Sequence, residues 1–273
     1  MCMKKIVAVL LSLLFMSGVF AQEKIQDEVK TVVSEGKAIF KLEMANRLGQ
    51  KIFKAKYKGK KSIEGFVSYT EADHVKLVFY SGGKESKVLG SVSFDDSFDI
   101  DKSVVDIIER EINVQEAQLI KLRKNAFTII SNVSLFPLPE HASFSVIPMV
   151  ENNSNKVYVM TVSTKEGVVM FGNDYLLSFD EKCNFTEKNS FHKNQASVTF
   201  DKNAGTANDN GSNHMHLAQK GEMVSSTDIA TLMLYEKDTK WSQHTFISEH
   251  YMFFWNYATH DLQVIPKAAP KTK

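Results

Sequence analysis

Cysteine is almost absent from this chain of 273 residues: there are two, Cys2 and Cys183. The first falls inside an apparent leader, so an exported product holds one thiol and no internal disulfide, and its core must hold it together. A net charge of either sign is also lacking. The formal net charge of +1 falls to −1 once Lys4 and Lys5 leave with the leader, which removes any electrostatic argument for nucleic acid or an anionic membrane as partner. Beyond the leader no apolar run is long enough to span a bilayer, and no lipobox cysteine follows the leader, so no transmembrane or lipid anchor is expected. Gly-x-Ser-x-Gly, a Walker loop and a dinucleotide fingerprint are missing as well, which argues against serine-hydrolase and nucleotide chemistry.

What is present begins with the leader itself. Lys4 and Lys5 precede an apolar block from Ile6 to Met16, and the block closes with Ser17-Gly18-Val19-Phe20-Ala21. A basic head, a short apolar middle and small residues before a cut after Ala21 read as a secretory signal peptide over 1–21, and place the mature chain in the periplasm or outside the cell.

Apolar residues make up 43% of the chain, enough to build one large or two modest domains from the remainder. Ile25, Val29, Val32, Val33, Phe40, Met44 and Leu48 recur at helical spacing, with Gly36 weakening the middle, so one bent helix or two are expected there. Alternation then takes over in Phe66 to Tyr69, Val75 to Tyr80 and Val88 to Phe94, and Gly82-Gly83 predicts an antiparallel hairpin between the last two. Asp95, Asp96, Asp99 and Asp101 lack the glycine and terminal glutamate of a calcium loop and read as a solvated turn. Ser103-x-x-Asp106 has the spacing of a capping box, and a helix from there through Ile130 is expected.

Pro137, Pro139 and Pro148 mark a stiff connector, and with it a boundary between an N-terminal α+β region over 22–145 and a C-terminal region over 146–266. In the second region Val157 to Val162, Val168 to Phe171 and Tyr175 to Phe179 read as strands of an antiparallel sheet, with a turn at Gly172-Asn173-Asp174 between the last two. Asn203 to Asn213 is a polar loop, and Ile229, Leu232 and Met233 mark a short helix face. Thr245 to Ser248, Tyr251 to Trp255 and Leu262 to Ile265 are closing strands, and 267–273 forms a frayed tail. The expected fold class is α+β: N-terminal helices with an antiparallel hairpin, then a C-terminal mixed sheet flanked by helices.

The chemistry-bearing stretch is His214-Met215-His216 followed by Ser225-Ser226-Thr227-Asp228. Two histidines one residue apart lie on one side of an extended backbone, and an acid at a helix start can supply a third ligand. Two imidazoles and a carboxylate with a fourth position open to water is a set that catalytic zinc uses. Ser225-x-x-Asp228 also reads as a second capping box, in which case the histidines are ordinary loop residues. His192 is a reserve ligand. Cys183, in a turn beside Asn184, has no basic neighbour to activate it.

These residues resemble the His-x-His, Ser-x-x-Asp signature of the JAMM (MPN-type, JAB1-like) metalloproteases. The resemblance implies zinc held by His214, His216 and Asp228, Glu166 as the base that activates the bound water, Ser225 or Ser226 as donor to the oxyanion, and a JAMM or cytidine-deaminase-like architecture. It further implies hydrolysis of a peptide or isopeptide bond in a protein or peptide substrate. Leu217 stands where that family has proline, the gap before the serine is one residue longer, and the lead-in to the histidines is polar. Phe171 to Asp180 and Thr227 to Tyr235 also resemble stretches of exported proteins from Bacteroidetes-type bacteria. The second expectation is therefore a non-catalytic secreted or periplasmic module that binds a protein or glycan. Neither expectation sets an oligomeric state.

Overall fold

A computed structural model describes residues 2–151, 154–192, 195–201, 212–215 and 223–267, with side chains from residue 24 onward and none for 212–215. The fold is α+β, as the patterning implies. Helix α1 (Cys2–Lys56) is followed by β1 (Ile63–Glu71), β2 (His74–Ser81), β3 (Val88–Phe94) and β4 (Val104–Asp106), which form one antiparallel sheet in that order. The expected hairpin across Gly82-Gly83 is present, with Leu77 opposite Val92. Among the described residues no helix is long and apolar enough to cross a membrane.

Helix α1 runs through Gly36 as one helix, where one bent helix or two were expected. The reason is packing against α3 (Ser226–Thr239). A methyl group at Gly36 would lie 2.6 Å from Cβ of Ile229 and 2.8 Å from the carbonyl oxygen of Ser226, so the two helices approach as closely as only glycine allows. The glycine's helix penalty of about 1 kcal/mol is offset by apolar area buried along the crossing. Further along α1, Ile39, Leu42 and Phe53 face the first sheet, and the Phe53 ring stacks on Phe79 with centroids 4.0 Å apart.

Helix α2 (Val114–Ile130) begins ten residues later than Ser103-x-x-Asp106 suggests. Asp106 pairs instead with Ser91 across β3 and β4, and the Ser103 hydroxyl donates to the Ile100 carbonyl at 2.6 Å, closing a 3-10 turn over Ile100–Lys102. The box that does start the helix is Asn113 with Glu116: Asn113 Oδ1 accepts from the Glu116 amide at 2.8 Å and Glu116 Oε2 from the Asn113 amide at 3.0 Å. Two equally spaced boxes compete locally, and sheet pairing decides between them.

The second sheet has the order β5 (Ala142–Glu151), β6 (Ser154–Ser163), β8 (Tyr175–Phe179), β9 (Phe185–Ser190), all antiparallel. Pro148 belongs to no connector; it sits within β5 opposite Val157. β5 is an edge strand, where a missing N–H costs no ladder bond. Nor does β7 (Val168–Phe171) pair with β8 across Gly172-Asn173-Asp174. It leaves to pair with β10 (Ala196–Thr199), because Asn173 (φ 58°) and Asp174 tie back to β6 rather than closing a hairpin.

The last sheet is mixed: β11 (Ser212–Met215) lies parallel to β12 (Gln243–Ile247), and β13 (Tyr251–Asn256) and β14 (Asp261–Pro266) continue it antiparallel. One apolar cluster draws on Ile39, Phe79, Ile147, Tyr158 and Leu234, residues from both sides of the expected boundary. Lys267, placed in the tail by the sequence, is tied down by its amide to the His250 carbonyl at 2.7 Å and its ammonium to the Ser248 carbonyl at 3.1 Å. The remainder of the tail, 268–273, lies outside the described residues.

Candidate functional site

The first turn of α3 gathers four buried polar side chains, Ser225, Ser226, Thr227 and Asp228. Ser225 caps the helix in extended conformation (φ −89°, ψ 160°). Its Oγ accepts from the Asp228 amide at 3.1 Å, and Asp228 Oδ2 accepts from the Ser225 amide at 2.9 Å and from Ser225 Oγ at 2.8 Å. Thr227 Oγ1 lies 2.9 Å from Ser225 Oγ. Asp228 and Thr227 are fully buried, and Ser225 and Ser226 nearly so.

Two distant segments converge on this turn. His192, just past β9, brings Nε2 to 2.9 Å from Asp228 Oδ2. Asp174, just before β8, accepts the Thr161 amide on Oδ1 at 2.6 Å and is also hydrogen-bonded by the Thr227 side chain. Burial pushes Asp174 up to about 7, although the Thr161 amide, His192 and Thr227 pull the other way; Asp228 adds to the rise. For His192 burial pulls the imidazole down, but the Asp228 and Asp174 carboxylates outweigh it and its pKa ends raised. On the other flank Tyr158 of β6 donates to Glu35 of α1, with the Ser226 hydroxyl beside it, and Lys156 reaches the same glutamate at 3.3 Å.

The structure brings together some of the expected residues and separates others. Ser225, Ser226 and Asp228 share one helix turn. His214 lies in β11 opposite Phe246; its side chain, and the whole of His216, lie outside the described residues. A parallel pair needs a crossover, and α3 lies within it between β11 and β12. Glu166 is elsewhere. It is exposed in the turn before β7 and lines a recess with Phe200, Tyr235 and Asp238. Tyr235 and Asp238 lie seven and ten residues past Asp228 along α3, about 10 to 15 Å of helix rise.

This geometry limits the chemistry. In a nucleophile–base–acid relay the imidazole stands between hydroxyl and carboxylate; here the carboxylate stands in the middle and bonds both. Ser225 Oγ donates to Asp228, so it is a capping group rather than an activated nucleophile. Of the expected zinc ligands only Asp228 has a described side chain: its Oδ2 is engaged by Ser225 and His192, while Glu166, the expected base, lines the recess beside Tyr235 and Asp238. Among the described residues no three His, Cys, Asp or Glu side chains converge to hold a metal ion. Cys183 is buried, and burial pushes its thiol up, away from reactivity.

Asp174, Tyr158 and Glu35 belong to the cluster and were not singled out by sequence. Asp174 showed only as a turn residue, and nothing in its spacing reveals that the turn folds inward. Comparison of the chain with protein-family models, curated proteins and solved structures finds no match in any of the three.

Proposed function

We propose that the chain is an exported binding module, periplasmic or secreted, without hydrolytic activity of its own. The export half of the reading rests on the leader-like stretch Lys4 to Ala21. The observation that carries the rest is the separation of Glu166 from Asp228 along α3, with Asp228 engaged in its own helix cap and with His192. The cluster at the start of α3 then acts as the polar joint that locks α1, β6 and α3 together around a sheet free to meet a partner.

A zinc-dependent peptide or isopeptide hydrolase is the second reading, favoured by the element order β11–α3–β12, which keeps His214 and Asp228 in the sequence the resemblance implies. Metal analysis of the purified chain and of a His214→Ala, His216→Ala double variant separates the two. Equal and negligible zinc in both is expected. Stoichiometric zinc in the parent, lost in the double variant, would transfer the assignment to the hydrolase.

A further inference from the structure

We infer that the outward face of β12, β13 and β14 carries a binding site for one residue of an uncharged glycan; this rests on the binding-module reading and names its partner. Alternation splits these strands cleanly. Phe246, Phe253, Trp255 and Leu262 point into the apolar core. Their neighbours point the other way and stand in rows fixed by the register: Gln243 opposite Asn256, and Phe254 opposite Gln263, with Ile265 one step further along β14. Together Gln243, Phe254, Asn256, Gln263 and Ile265, with the buried Trp255 between Phe254 and Asn256, line a concavity of about 250 Å³. At roughly 30 Å³ per water that is the space of about eight waters, enough for a single sugar ring.

The lining selects the ligand chemistry. Among the described residues the lining has no ionisable side chain, and Asp261 stands at its edge opposite Asn256, so an anionic ligand would lose hydration with no cation to replace it. The lining has three carboxamides around one outward-facing aromatic ring: Gln243 and Gln263 can donate and accept, and Asn256 can donate. A pyranose matches this set: its apolar C–H face lies against a ring whose face is electron-rich, and its hydroxyls exchange bonds with amides. Asn256 is already oriented, because its Oδ1 accepts from the amides of Ala258 at 2.8 Å and Thr259 at 3.2 Å, which leaves Nδ2 to donate. These groups stand on paired strands rather than on a loop, so little ordering cost is left for binding to offset.

The test is isothermal titration of the full mature chain with maltotriose, cellotriose and triacetylchitotriose, with trigalacturonate as the charged counterpart. At least one neutral trisaccharide is expected to bind, and trigalacturonate to bind at least tenfold more weakly. Phe254→Ala should weaken binding about tenfold. Gln263→Ala, an exposed change that leaves the core untouched, should weaken it by a smaller factor and keeps the test decisive if Phe254→Ala misfolds. No binding of any neutral trisaccharide at millimolar concentration, or unchanged binding by Gln263→Ala together with a folded Phe254→Ala, overturns the inference. A zinc-free chain that ignores all three sugars sinks this inference alone, whereas zinc lost with the two histidines sinks the module reading whatever the sugars do.

Discussion

His192 Nε2 stands 2.9 Å from Asp228 Oδ2, with Asp174 as a second buried carboxyl beside them. One imidazole thus answers two acids, and the cluster is best satisfied when it carries an extra proton. Both titrations act in one direction. Asp174 is held at about 7 against an ordinary 3.8, so the unfolded chain gives up this proton first and stability falls as pH rises across that window. His192 is raised above 6.5, so its contribution is fully present below that value and is lost as pH passes through the folded one. At about 1.4 kcal/mol per pH unit of separation, the loss from Asp174 reaches a few kcal/mol. Urea midpoints should therefore decline from about pH 5 to about pH 8, and Asp174→Asn should flatten the decline. An identical slope in the variant would remove Asp174 from this account.

The cap separates structure from catalysis at the same residues. Ser225→Ala removes the acceptor for the Asp228 amide and should cost about 1 to 2 kcal/mol of unfolding free energy. Asp228→Ala strips the Ser225 amide and His192 of their shared acceptor inside the core, and should cost about 3 kcal/mol or more. Denaturant midpoints of the two variants test the order. Were Asp228→Ala the milder change, the carboxylate would not be holding the joint.

How far the fold could be read in advance follows from how local each signal is. The closing strands from Thr245 to Ile265 alternate against one buried face, and β2 and β3, buried on both faces, still show as short β-rich runs, so neither needs a distant partner to be seen. The start of α3 was legible for the same reason, since Ser225 and Asp228 satisfy each other within four residues. The helix expected at Ser103 was not, because the pairing of Val104 to Asp106 with β3 is a contact that spacing cannot display. The same holds for β7, whose partner β10 lies some thirty residues on. At the site, Asp228 could be found by its cap. Asp174 and His192 reach it only through the second sheet, and no periodicity in the chain records that convergence.

Two glycines on α1 make opposite predictions from similar distances. At Gly36 a methyl group would press on Cβ of Ile229 and the Ser226 carbonyl, both fixed by the backbone of α3. Gly36→Ala should force the helices apart, and a cost of about 1 to 3 kcal/mol should exceed the gain in helix propensity. At Gly49 the nearest atom is Cδ2 of Leu77, 2.6 Å away, and the next contact is 3.4 Å. That methyl is the end of a rotatable side chain. Gly49→Ala should therefore be close to neutral, and unfolding midpoints measured side by side should place Gly36→Ala well below it.

Glu116 sets the acid limit of stability. Wholly buried at the start of α2, it accepts two bonds from Arg110 at 2.8 and 2.6 Å, one from the Tyr69 hydroxyl at 3.0 Å and one from the Asn113 amide. Burial pushes its pKa up, but Arg110, the Asn113 amide and Tyr69 together hold it below its ordinary 4.5. Its contribution is thus complete above that value and disappears as pH falls through the folded one, the reverse of the Asp174 and His192 behaviour. The two trends together place maximum stability on the acid side of neutral. Glu116→Gln keeps the shape but leaves the guanidinium without its counter-charge, and should cost about 3 kcal/mol at neutral pH. Tyr69→Phe removes one neutral donor and should cost about 1 kcal/mol. Because both changes touch the same carboxylate, the double variant should lose less than the two single losses combined. Strict additivity in the urea midpoints would mean that the hydroxyl and the carboxylate do not share the bond.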